Sequence, residues 1–335
     1  MEQQHRYMVR VSCLTYNHAT YIENAMNGFC MQETTFPFVC TILDDCSTDG
    51  EQEVIKKYMQ EHFNLEDPSV VRNEETDDYF LTFAQHKTNI NCYFAVYYLK
   101  YNHYSVKKSK KPYFEEWSHT KYVALCEGDD YWIVPNKLQM QVEFMEEHPD
   151  FSMCFHGAKV LSEDSSTTDI KSMLKLECRE YSGEEIYDKW TIPTASVMFL
   201  SIVKPVLNDS FIFGDTPLFL SCSLYGKIGC FDIGPLCVYR RHIGGASTTS
   251  ISYNRWINHH YALKQHFPEI RNSVDRHIVK IQVAYLFSKG FNNDTVSVCQ
   301  DLVRHPKYII PALIYTPFFI INHIKGVLAC QTKGE

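Results

Sequence analysis

What most constrains this chain is the exchange, repeated along its first half, of apolar β-prone runs with stretches of helical period. The strand-like runs are Met8–Thr15, Phe38–Leu43, Ser69–Arg72, Tyr122–Cys126 and Phe151–Phe155. Between them, Ala19–Met31, Glu51–His62, Phe80–Lys100 and Pro135–Glu147 read as helices. Such alternation predicts βα units that build a mainly parallel central sheet flanked by helices, an α/β architecture. Thr48 with Glu51 three residues on reads as a capping box, and Pro135 stands where the first turn of a helix accepts proline.

The rhythm breaks at 106–120 (VKKSKKPYFEEWSHT), which reads as an exposed insertion whose lysines 107, 108, 110 and 111 are solvated. After Phe155 a polar connection, Ser162–Lys171, leads to a Ser196–Leu200 strand, a helix around Phe213–Tyr225 and a short strand at Leu236–Tyr239. From Tyr253 onward the pattern is helical in three or four segments. A domain over 1–250 and a helical region over 251–335 are therefore expected. The stretch 308–329 is strongly apolar but interrupted by Pro311, Pro317, Asn322, His323 and Lys325, so a helix packed on its own domain or lying on a membrane surface fits better than a span.

Composition narrows the function. With 32 Lys+Arg against 40 Asp+Glu the net charge is −8, with no long basic block, which argues against a nucleic-acid partner held through phosphate neutralisation. Thirteen scattered cysteines without C-x-x-C pairs suggest reduced thiols rather than a disulfide framework or zinc ribbon. The polar start, lacking the apolar core of a signal peptide, points to a cytoplasmic protein, with the inner face of the cell membrane as the place a surface contact through 308–329 would put it.

Two strand-like runs end in acids: FVCTILDDCSTDG with Asp44 and Asp45, and YVALCEGDDYW with Glu127, Asp129 and Asp130. In a parallel sheet ligands gather outside the carboxyl ends of the strands, so both clusters face one crevice. Clustered carboxylates repel unless a cation compensates them, and hard oxygen donors suit Mg²⁺ or Mn²⁺ with substrate phosphates completing the shell. Acids after a strand also serve as turn formers and helix caps, which for Asp44 and Asp45 alone is an equally good reading. An EF-hand loop starting at Asp45 fails, because its twelfth position is Lys56. A dinucleotide fingerprint and a Walker A loop are both absent from the sequence, which leaves phosphate to metal and side chains.

Three segments, VSCLTYNHATYIENAMNGFCMQET, FVCTILDDCSTDG and KYVALCEGDDYWIVPNKLQMQ, resemble in order and spacing the nucleotide-binding half of glycosyltransferase family 2, inverting GT-A fold transferases of bacterial polysaccharide assembly. The resemblance implies that Thr15 and Tyr16 grip the nucleotide base, that Asp45 beside Asp44 accepts the uracil N–H, that Asp129 addresses ribose or donor sugar, and that Asp130 ligates the metal. Glu127 stands at the first acid of the D-x-D-type motif. GDTPLFL places Asp215 where the family keeps its catalytic base; without the resemblance Asp215 reads as a helix N-cap. YRRHIGGAST resembles the family's Y-R-x-H segment, with His242 approaching metal or diphosphate, Arg240 or Arg241 countering phosphate, and Gly244 and Gly245 turning the chain behind it. Lys87 stands in for a missing phosphate-contact segment, and the absence of Q-x-x-R-W points to single sugar addition. Trp132, Trp190 and Tyr187 are candidate sugar-stacking rings.

The expected function is transfer of a sugar from a nucleotide diphosphate sugar, UDP-linked, to a glycan or lipid-linked acceptor, with Mn²⁺ or Mg²⁺ as cofactor. A nucleotidyltransferase, or a non-catalytic nucleotide- or sugar-binding protein on the same scaffold, is the alternative.

Overall fold

The structure is a computed structural model, and it describes residues 6–162, 171–172, 176–189, 192–242, 251–287, 293–317 and 319–320. The chain runs β1 (Tyr7–Thr15), α1 (Ile22–Cys30), β2 (Phe38–Asp44), α2 (Glu51–His62), β3 (Arg72–Glu75), β4 (Tyr79–Gln85), β5 (Cys92–Leu99), α3 (Lys111–Glu115), β6 (Thr120–Leu125), β7 (Tyr131–Trp132) and α4 (Lys137–Glu147). It continues through β8 (Phe151–Ser162), β9 (Lys171–Ser172), β10 (Glu180–Tyr181), α5 (Gly183–Asp188), β11 (Met198–Leu200), α6 (Asp215–Tyr225), β12 (Lys227–Arg241), α7 (Tyr253–His266), α8 (Arg271–Phe287) and α9 (Asn293–Arg304).

The described strands form one sheet of order β10-β12-β8-β11-β6-β1-β2-β5-β4-β3, with β7 and β9 on its flanks. Its centre, β6-β1-β2-β5, is parallel, while β11 runs antiparallel between β6 and β8 and the β3-β4-β5 edge is antiparallel. The sheet is therefore mixed around the expected parallel core. Strand β2 is buried at every position and reads as a continuous apolar run, as a strand covered on both faces must. Val9, Val11 and Cys13 of β1 pack with Ile22, Met26 and Phe29 of α1 and Phe38, Cys40 and Ile42 of β2 in the main core.

The largest departure from the sequence reading is Phe80–Lys100, expected as a helix and found as the β4–β5 hairpin. Tertiary partners decide it. In the connecting turn, the Asn89 side chain donates to the Cys30 and Gln32 carbonyls and Asn91 to that of Thr34, which ties the hairpin to the chain after α1. The 106–120 segment is also more ordered than an exposed insertion: it contains α3, and Tyr113 and Trp117 are buried against Tyr7 and Phe83. Strand β12 extends far beyond Leu236–Tyr239 because it pairs with β8 along its length through several register shifts.

The chain divides into two compact units. One comprises 1–182, 190–204 and 221–245 and contains the whole sheet; the other comprises 183–189, 205–220 and 246–335. In the second unit, Tyr253, Ile257 and Leu263 of α7 meet Val274, Ile278 and Val283 of α8 in a separate helical core with Val298 of α9 and Tyr308. Helix 309–317 follows, with Ile310, Leu313 and Ile314 exposed. Among the described residues no helix is long and apolar enough to cross a membrane. Trp190, Gly244, Gly245, most of Ser162–Lys171, and Asn322, His323 and Lys325 lie outside the described residues.

Candidate active site

Parallel pairing puts three chain exits on one edge. Thr15, the last residue of β1, pairs with Asp44, the last of β2, and Ser12 pairs with Leu125, the last of β6. Beyond β6 the Gly128 N–H donates to the Leu14 carbonyl at 3.0 Å, which lays the E-G-D-D loop along the end of β1. A Cβ at 128 would stand 2.1 Å from Thr15 Oγ1, so this approach requires glycine. Both acidic strand ends thus flank Thr15, as a parallel sheet dictates. The loops after β1 and β2 are knitted together: Asn17, at φ 58°, accepts from the Thr48 N–H at 2.8 Å, and Asp49 accepts from the Ala19 N–H at 2.9 Å.

The end of β2 is consumed by the chain's own donors. Buried Asp44 accepts from Gln52 Nε2 at 2.6 Å and the Ser47 N–H at 3.1 Å through Oδ1; its buried Oδ2 has no partner among the described residues. Asp45, also buried, accepts from the His103 N–H at 2.7 Å and the Tyr104 N–H at 3.1 Å, and pairs with Lys110 Nζ at 2.8 Å. Lys110 is therefore no solvated loop lysine. It closes a clasp that fixes the segment after β5.

The end of β6 is arranged differently. Asp130 is buried and accepts from the Arg240 N–H at 2.8 Å; burial and the adjacent Asp129 drive its carboxyl well above the ordinary range. Asp129 instead faces His242, with Oδ2 3.1 Å from Nε2. One nitrogen of His18, one of His242 and one carboxylate oxygen of Asp129 all lie within 4.8 Å of one another, close enough that the three could hold a metal ion together. Asp130, the expected metal ligand, turns toward β12, and its neighbour Asp129 faces the two histidines. The two His rings stand perpendicular at 5.6 Å, with Tyr21 5.1 Å from His242. Arg240, expected to counter phosphate, packs its guanidinium 4.5 Å over Tyr21 and donates from Nε to the Asp129 carbonyl.

Behind His18 stands a residue whose role the sequence concealed. Glu51 is fully buried and does not complete a capping box; Gly50, at φ 92°, is the N-cap of α2. Its carboxylate accepts from Thr15 Oγ1, from the His18 N–H at 2.9 Å and from Ser47 Oγ at 2.8 Å. Burial raises Glu51 to about 7 and lowers His18, which keeps the imidazole neutral, the form that binds a metal. Neither His18 nor Glu51 was a sequence candidate; the only signal for His18 was its place three residues after Thr15, in TYNH.

The remaining candidates divide. Tyr16, 43 % exposed, is available to a planar ligand beside Thr15. Lys87 binds the Gln60 and Glu61 carbonyls at the C-terminus of α2 and is a helix-end cation, not a phosphate contact. Trp132 is core, its indole N–H donating to the Ala195 carbonyl, and Tyr187 packs in the second unit. Asp215 begins α6 in the second unit and accepts from the Thr216 N–H at 2.6 Å, with its carboxyl raised by burial.

Residues 13–79, which include Thr15, His18, Asp44, Asp45 and Glu51, match the model of glycosyl transferase family 2. The likeness to that family is carried by this segment. Around it the fold is similar to that of S. aureus TarS: the 1–349 structure aligns with a TM-score of 0.52 at 14 % identity over 98 % of this chain and 92 % of that one. The same protein in complex with UDP-GlcNAc aligns at 0.51 and 15 % identity, over 83 % of this chain and 72 % of that one. At such identity the likeness concerns the GT-A fold. Uncharacterized proteins of Mycobacterium tuberculosis and Mycobacterium bovis are 29 % identical over 235 residues, 69 % of this chain; the chain spans 58 % of their length.

Proposed function

We propose that this protein is a metal-dependent inverting glycosyltransferase that moves a sugar from a nucleotide diphosphate sugar, UDP-linked, to a glycan or lipid-linked acceptor in polysaccharide assembly. The observation that carries the reading is the gathering of Thr15, His18, Asp129 and His242 at the carboxyl edge of a family 2 segment. Two imidazoles and one carboxylate fit a divalent transition ion, and shift the expectation from Mg²⁺ toward Mn²⁺. Such an ion, when bound, stabilises charge developing on the departing diphosphate.

The chain's own residues do the rest. Tyr16 offers its exposed ring to the base beside Thr15 and Asp44, which end β1 and β2. Asp45 holds the segment after β5. Asp215 takes the proton of the acceptor hydroxyl as its oxygen attacks C1 from the face opposite the diphosphate; the raised carboxyl suits proton abstraction better than an ordinary aspartate does. Ile310, Leu313 and Ile314, each more than 60 % exposed, offer an apolar surface for a lipid-linked acceptor or the inner face of a membrane.

The test is incubation with Mn²⁺ and a panel of nucleotide sugars, with the released nucleotide and the product anomer read by NMR. Nucleoside diphosphate and an inverted anomer support the proposal. Pyrophosphate release would indicate a nucleotidyltransferase, anomeric retention would refute the mechanism, and binding without turnover would leave a non-catalytic binding protein.

A further inference from the structure

Thr15, His18 and Glu51 form a connected chain of hydrogen bonds that ends at the candidate metal site, and the direction of each bond can be assigned. Glu51 Oε2 already accepts from the His18 N–H and from Ser47 Oγ, and Oε1 accepts from the Thr15 hydroxyl. A hydroxyl has one proton. With Glu51 ionised and taking that proton, Thr15 Oγ1 accepts from the next group in line, His18 Nδ1, 3.2 Å away. His18 Nδ1 therefore carries the hydrogen, and the lone pair falls on Nε2.

We propose that Glu51 and Thr15 are positioning residues that fix the Nδ1–H tautomer and ring orientation of His18, presenting Nε2 to a divalent ion shared with Asp129 and His242. This deepens the metal reading of the proposed function and rests on it. Outer-shell partners of this kind orient a ligating imidazole and raise its basicity. Four features of the site favour this role over a merely structural one. The Glu51 side chain turns away from the amides of its own helix, although an acid in the first turn of α2 would find favourable partners there. Thr15 and Glu51 are both buried, so water does not compete for the relay. Gly128 leaves room for the Thr15 hydroxyl at a point where any Cβ would displace it. Asn17 at φ 58° holds the turn that brings His18 back over Thr15, with its own N–H donating to Ser47 Oγ at 2.9 Å, which ties the turn to a partner of Glu51.

The relay also accounts for residue identity. Valine at 15 would keep the shape of threonine and supply no hydroxyl, whereas serine would keep the hydroxyl. Glutamine at 51 would offer an N–H on one arm, setting a donor against one of the three donors that now converge there.

Two measurements on the full-length protein test this. Long-range ¹H–¹⁵N correlation of the metal-free wild type at about pH 8, where Glu51 is ionised, should show His18 as the Nδ1–H tautomer; a predominant Nε2–H form there overturns the proposal without reference to any variant. Isothermal titration with Mn²⁺, checked by the visible spectrum of the Co²⁺ form, should show Thr15→Val and Glu51→Gln binding about 10- to 100-fold more weakly than wild type, with Thr15→Ser within about threefold. Far-UV circular dichroism of each variant excludes misfolding as the cause. Wild-type affinity in Thr15→Val overturns the relay while leaving the metal site standing. Failure of the wild type to bind either ion removes the metal site and the relay with it.

Discussion

The ends of β2 and β6 carry nearly the same acids on neighbouring exits of one parallel sheet, yet the structure uses them in opposite ways. At Asp44 and Asp45, Gln52, Ser47, His103, Tyr104 and Lys110 turn the charge inward, so the acids hold loops. At β6, Asp130 is buried against the backbone of Arg240, while Asp129 is left facing two histidines. Where a carboxylate is met by the protein's own cation and amides it is architecture; where it is met by imidazoles it is ready for a ligand. The residue type after the strand does not decide between these outcomes. What crosses over from other elements does.

The sharpest way to break this contrast is Asp129→Asn, which should lower transfer at least about 100-fold, since the carboxylate of the candidate ligand set is lost. The same substitution should leave the unfolding midpoint nearly unchanged. Turnover with Mn²⁺ and urea unfolding check the two halves of the statement, and a stable, fully active variant would erase the distinction.

Asp45→Ala should do the reverse. It strands two buried amides and Lys110, at a cost of about 2–4 kcal/mol, with Mn²⁺ affinity kept within about threefold. Equilibrium urea denaturation together with a metal titration reads both numbers; a weakened metal site with intact stability would place Asp45 on the ligand side.

Glu51 sharpens the comparison through pH. Its folded value, about 7, lies above the ordinary 4.5, so the native state holds that proton more tightly than the unfolded chain. The resulting stability is complete below about pH 4.5 and is lost as pH rises through 7, a change of at most about 3 kcal/mol. Glu51→Gln should flatten the stability profile between pH 5 and pH 8 in urea titrations, and an unaltered slope would show that Glu51 is not held in a protonation-costly site.

The smallest effect is expected at Lys87, where Lys87→Met should cost about 1 kcal/mol or less by thermal unfolding, with no change in turnover, because its ammonium serves the end of α2. Loss of activity would return it to the phosphate.

These contrasts also show what a sequence of this kind discloses. Strands β1, β2 and β6 and helix α2 were legible because their apolar periods and turn signals are local, and parallel pairing then forced the acidic ends together. The β4–β5 hairpin was not legible: its strands gain their identity from pairing with β2 and from asparagine contacts with the chain after α1. Choosing Asp129 over Asp130 required knowing which side chain points toward β12, a strand about 100 residues away in sequence. Glu51 misled for a related reason, since a helix-start acid is ordinarily a local capping partner, whereas here its partners lie in the β1 loop.

The central claim is that the end of β6, with His18 and His242, holds one divalent ion for a nucleotide diphosphate. Mn²⁺ titration followed by electron paramagnetic resonance, with and without UDP, tests it most directly. The account predicts one bound ion per chain, held more tightly when UDP is present and lost in His242→Ala. Binding that ignores UDP and survives His242→Ala would contradict it.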